Sequence, residues 1–208
     1  MSAAAVWGVL LTILLVAWVV LDGAVQGVGA TLLRERGKDG SDRRRAPARR
    51  NAVLAAVGPL RLPGEASLVA AALVLVLAFP QAASDLMRVA YPLVVALAGS
   101  CVVRDAVLWL RGRRPGQVWH DVWEAVLVVA SIVLAGSWGA LLGVAWGNGL
   151  AALGLAVVAV VVTRLHGDAV VVWRLRRTTP LPVIVTAVMV AAPVVGTAIA
   201  AWSRFGGA

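Results

Sequence analysis

The chain has 208 residues, 61% of them hydrophobic and only 14% charged, where a soluble domain has about half and about a quarter. That composition excludes a disordered chain and argues against an ordinary water-soluble domain. Its net charge of +9 is not a nucleic-acid footprint, because the basic residues lie in short segments between long apolar runs.

Six apolar segments follow in order, Ala4 to Leu33, Ala66 to Ala83, Leu86 to Leu110, Val122 to Trp146, Leu150 to Trp173 and Leu181 to Trp202. Each approaches or exceeds the roughly 20 residues a helix needs to cross hydrocarbon. None shows the two-residue alternation of a barrel strand. Helices satisfy every backbone group within their own segment, so the chain reads as an all-α integral membrane protein, a single bundle of about six transmembrane helices. The stretch Asn51 to Glu65 is half apolar and broken by Pro59 and Pro63, and reads as an interfacial or re-entrant piece leading into the second span. The first apolar run lacks a basic leader and is too long for a signal-peptide core.

Charge asymmetry orients the spans. The segment 34–50 carries Arg34, Arg36, Lys38, Arg43, Arg44, Arg45, Arg49 and Arg50. The third connection carries Arg111, Arg113 and Arg114, and the fifth Arg174, Arg176 and Arg177. The second offers Arg88, the fourth nothing and the C-terminal tail Arg204. The positive-inside rule then makes the odd connections cytoplasmic and puts both termini outside. Segment 34–50 reads as a basic, mobile loop whose charge serves topology, with a polybasic patch for nucleic acid or anionic lipid as the lesser reading. Trp119, Trp123, Trp146 and Trp202 fall near span ends, as an aromatic belt requires.

The informative side chains are the ionisable ones inside spans, since a charge at the bilayer centre costs about 2.5–3.5 kcal/mol on the mildest scale. Asp22 lies deep in the first span, too short to reach the interface, beside Gly23, Gln26, Gly27 and Gly29 at spacings that permit close helix contact. It requires a partner or a hydrated cavity, and a proton-path role and a structural pairing weigh equally. Arg104 and Asp105 lie inside the third span, with Arg104 close enough to its end to snorkel. Asp121 and Glu124 open the fourth span, where headgroup-facing positions at a helix N-terminus explain them best. Arg164, His166 and Asp168 cluster in the fifth, where His166 reads as a buried histidine bonded to a carbonyl. A single cysteine, Cys101, and two histidines exclude a disulfide and a cysteine-rich zinc or iron–sulfur site. No nucleotide-binding loop, nucleophile elbow or zinc-protease motif is present. These residues alone fit a transporter, an assembly protein or a subunit of a redox complex.

The order of short patterns is more specific. Asp22-Gly23 followed by Gly27-Val28-Gly29, then Gly58-Pro59 through Glu65 and Leu68 to Phe79-Pro80, then Tyr91, Arg104 and Arg111 appear in sequence. Trp119, Ser131 and Gly143 through Gly149 come next, then Leu165-His166-Gly167-Asp168 with Trp173-Arg174-Leu175. Together, from about Val6 to Arg177, they resemble subunit II of the bacterial cytochrome bd-type quinol oxidases. Three departures stand out. The family's "WDGNEVWL"-like block is replaced by Arg61 to Leu68, where only Glu65 and Leu68 survive, and its second acidic residue in the first helix is Gln26. Members usually have eight helices in two halves, whereas six are read here.

The resemblance implies a subunit of a quinol-oxidising, oxygen-reducing complex in the bacterial cytoplasmic membrane. It implies a larger subunit I that carries the haems and the quinol site, with no haem on this chain. Asp22 and Glu65 are the implied candidates for a proton path. Gly23, Gly27, Gly29, Arg104, His166 and Asp168 are the candidates for helix packing or buried pairing. A small multi-span transporter and a non-catalytic assembly protein are the competing readings, the first drawing on the glycines of the first span and the Pro59–Pro63 break.

Overall fold

The computed structural model describes residues 2–37, 46–114, 116–146 and 149–205. Among them are six α-helices and no strand: α1 (Ala3–Gly37), α2 (Ala46–Ala78), α3 (Pro80–Leu110), α4 (Gln117–Ala145), α5 (Gly149–Arg176) and α6 (Leu181–Phe205). A single 3-10 turn, Arg111–Arg113, follows α3. All six helices are long and apolar enough to cross a membrane.

The limits of α2 differ from the sequence reading. Asn51 to Glu65 is not a separate or re-entrant piece, because α2 runs through it and through Pro59 and Pro63 without a break. Prolines are tolerated inside a membrane helix when neighbouring groups take up the freed backbone. Close to the first proline, Arg174 of α5 donates to the carbonyl of Ala56 at 2.9 Å and ties the two helices together. The second span therefore ends at Ala78 rather than Ala83. Phe79 leaves the helical region (φ −133°, ψ 58°) and Pro80 opens α3. A proline disfavours the helical region for the residue before it and suits a first helical turn, and at Phe79-Pro80 one helix stops and the next starts. Segment 34–50 is also less loop than expected: α1 extends to Gly37 and α2 begins at Ala46, and 38–45 lies outside the described residues.

Helix α1 is the hub, packing most closely on α2 and α5 and also on α4 and α6, while α4 packs on α3 and α5. Lipid tails are as apolar as leucine, so small residues that let backbones approach drive such packing. Gly27 and Gly167 mark the α1–α5 crossing: a Cβ built on Gly27 would lie 2.8 Å from the Cα of Gly167, and one on Gly167 would lie 2.6 Å from that of Gly27. Gly29 packs on Val128 and Ser131 of α4, and Gly23 faces Thr163 and Val190. On α2, Gly64 brings the backbone against Asp22, where a Cβ would sit 3.1 Å from the Asp22 Cβ. The core forms two layers. Val25, Val28, Val57, Val107 and Leu127 belong to one, and Trp18, Val19, Leu134, Trp138 and Val190 to the other. Asp22 falls at the seam between them.

Candidate functional site

The seam holds a chain of polar side chains drawn from α1, α2, α3 and α4. Asp22 and Arg104 are both fully buried, and the Arg104 Nη1 lies 2.7 Å from each carboxylate oxygen of Asp22. One helical turn along α1, Gln26 donates its amide N–H to Asp22 at 2.8 Å and accepts the Trp138 indole N–H at 3.2 Å. Arg104 therefore does not snorkel. Its guanidinium turns inward because Asp22 is level with it and Gly64 leaves room on α2.

In the other direction the chain runs outward. The Arg104 Nη2 reaches Glu65 at 3.3 Å, and its Nε lies 3.5 Å from Asp105. Arg61 donates to Glu65 at 2.7 Å, an i,i+4 pair, and lies 3.0 Å from Asp105. Three carboxylates thus share two guanidiniums. Asp22 and Arg104 are sealed, whereas Arg61, Glu65 and Asp105 each keep about three-tenths of the side chain exposed.

A second ionic group lies nearer the ends of the helices. Glu124 is buried, not turned to headgroups, because it sits two turns into α4 where arginines of α2 and of the 3-10 turn can reach it. Arg111 donates to it at 2.6 and 3.1 Å and also to Asn51 at 3.0 Å. Arg50 lies 3.3 Å from Glu124 and 3.5 Å from Asp121. Between the two groups is a cavity of about 210 Å³, lined by Val25, Leu54, Val57, Leu108 and Leu127 with Arg61 as its charged wall.

The fifth helix does not act as one cluster. His166 is buried, with Nε2 donating to the carbonyl of Val20 at 3.0 Å and Nδ1 meeting the Thr186 hydroxyl at 2.9 Å. A carbonyl only accepts, so a neutral ring carries its proton on Nε2 and takes the threonine proton at Nδ1. That ties α5 to α1 and α6. Arg164 is exposed and Asp168 half-buried on the same helix. His120, in the first turn of α4, has its Nδ1 2.8 Å from the Gly116 carbonyl.

The structure therefore joins Asp22, Glu65, Arg104 and Asp105, and leaves His166 and Asp168 outside that chain. Sequence reasoning missed Arg61 and Trp138 as members, and missed that Arg50 and Arg111 converge on Glu124. Arg61 had a signal, its i,i+4 spacing to Glu65. Trp138 had none, since nothing in a lone tryptophan tells which helix it faces. Among the described residues no group of three or more histidine, cysteine or carboxylate side chains is placed to hold a metal ion.

A search of curated proteins returns no match to this chain. Residues 3–202, nearly its whole length, match the family described as cytochrome bd terminal oxidase subunit II. With six helices fit to cross a membrane and a match of that extent, the chain is a multi-pass membrane protein, a subunit of a respiratory oxidase, and belongs to the cytochrome bd terminal oxidase subunit II family.

Proposed function

We propose that the chain is the non-haem subunit of a cytochrome bd-type quinol:oxygen oxidoreductase, seated in the bacterial cytoplasmic membrane with both termini outside. The observation that carries this reading is the family match over residues 3–202. The haems and the quinol site belong to a larger partner subunit. In support of that division, the two histidines are not placed to hold a haem between them. Both ring nitrogens of His166 are engaged. By helix register His120 lies about 13 Å from it along the bundle, with its Nδ1 at the Gly116 carbonyl. The haems supply electron transfer and oxygen chemistry.

What the chain's own residues contribute is a place for a proton. Three carboxylates stand beside two guanidiniums at mid-span, where ionisable groups mark ion or proton routes. Glu65 is the accessible end and Asp22 the sealed end, with Arg104 bridging them. The arginines that gather near Glu124 and at the ends of α3 and α5 mark the cytoplasmic side. The cavity between the two ionic groups lies on that side of Glu65 and Asp22.

The test is mild-detergent purification of the tagged chain from its own membrane, followed by a visible spectrum and quinol-driven oxygen uptake. Haem bands with a large co-purifying membrane subunit are the expected result. A colourless preparation without such a subunit would overturn the reading. Reporter fusions at either end, expected to be active only outside, check the orientation.

A further inference from the structure

Arg164 is a cation without a counter-ion near the middle of a span. It lies about 22 Å along α5 from Gly149 and about 18 Å from Arg176, close to the centre of a hydrocarbon layer of about 30 Å. It is exposed on the outer side of the helix. Among the described residues no carboxylate lies within 4.0 Å of its guanidinium, Asp168 one turn on included. Snorkelling does not answer the charge. The nearer interface is at the C-terminal end of α5, whereas helical side chains lean toward the N-terminus. Above it on the same side, Leu153, Val157 and Val161 are 66%, 57% and 50% exposed. With Arg164 they follow at spacings of four, four and three residues, one apolar stripe ending in a positive charge. Helix α5 does not pack on α3, so the stripe is separate from the Glu65–Asp105 group. An arginine at this depth faces a bundle interior, a hydrated cavity or a partner. Neither of the two best-formed cavities has Arg164 in its wall.

We infer that the outer stripe of α5 seats a transmembrane helix of another polypeptide, one that brings an aspartate or glutamate to the level of Arg164. Charge and depth decide the occupant. A lipid phosphate has the right charge but stays with the headgroups, about 15 Å from the bilayer centre. A second copy of the stripe, related by a two-fold axis along the membrane normal, sets Arg164 against Arg164 at one level. A helix with one carboxylate among apolar residues covers Leu153, Val157 and Val161 and gives the guanidinium a charge-assisted pair. The stripe is one helix wide, so one helix fills it. The inference goes beyond the oxidase-subunit reading and does not depend on it.

The experiment uses the full chain in its native membrane. A photo-crosslinking benzophenone amino acid replaces Leu153, Val157 or Val161 one at a time. Ile184 and Val188 on α6, 55% and 62% exposed, serve as controls. Crosslinks from the stripe to one membrane protein are expected, at a span with an aspartate or glutamate within a helical turn, and at least fivefold weaker from the controls. Arg164→Leu should lower that yield at least fivefold, while Arg164→Lys, which keeps the charge, should retain most of it. Crosslinks to lipid alone, to a second copy, evenly from both helices, or to a span without a carboxylate would overturn the proposal, and these outcomes need no substitution at Arg164. An Arg164→Leu yield equal to the parent's would overturn it as well. Haem content separates the two readings. A haem-loaded preparation with no protein crosslinked to the stripe defeats the docking inference alone, whereas a colourless one crosslinked here to an acidic helix defeats the oxidase reading alone.

Discussion

Arg104 holds both carboxylate oxygens of Asp22 at 2.7 Å, and neither residue is exposed. The two are not equivalent. Arg104 also touches Glu65 and Asp105, whereas the carboxylate of Asp22 has Arg104 as the one charged partner that its contacts give.

Neutralising Asp22 is therefore the milder change. Asp22→Asn leaves two carboxylates for two guanidiniums, and Arg104 keeps counter-charges. Assembly and haem content should persist while quinol-driven oxygen uptake falls by roughly tenfold. Arg104→Gln instead strands a buried carboxylate, and breaking a buried pair costs about 3–5 kcal/mol. Detergent-solubilised chain should then be largely lost on size-exclusion chromatography. Equal loss of both variants would make the pair purely structural.

The α1–α5 crossing should be intolerant of a methyl group. Gly27→Ala and Gly167→Ala each force a Cβ into the facing backbone, and overpacking of that kind costs about 1–3 kcal/mol. Gly154→Ala meets nothing within 4 Å and should leave the melting temperature unchanged. Thermal unfolding of the three variants, followed by monodisperse peak height, decides this.

His166 joins three helices through two hydrogen bonds. His166→Ala should cost about 1–3 kcal/mol by leaving the Val20 carbonyl and Thr186 hydroxyl without it. Haem content per assembled complex should be unchanged. A haem band lost in proportion would make the ring a ligand and contradict its structural role.

Glu124 is the shared counter-ion of Arg50 and Arg111. Glu124→Ala should separate the starts of α2 and α4 from the end of α3 and lower accumulation in the membrane. Limited proteolysis near Arg111–Arg114, faster in the variant than in the parent, reads the loosening directly.

The sequence carried the span count, because hydropathy is a property of each segment alone. It did not carry the start of α2. Arg49, Arg50, Arg61, Pro59 and Pro63 make that stretch read as an interfacial piece, and only the neighbours that answer its charges and backbone make it a span. The same division holds in the site. The burial cost of a mid-span carboxylate pointed to Asp22 by itself, but the matching arginine is 82 residues away, and nothing local selects Arg104 over Arg111. Glu124 was misjudged for that reason: its position near a helix start is local, its two arginines are not.

That separation of 82 residues also sets an order of events during synthesis. At about 5–20 residues per second, Asp22 is joined to the growing chain roughly 4–16 s before Arg104 is. The ionised carboxylate thus meets its counter-ion only after the third helix has been made, so the pair that closes the seam is also one of its late contacts.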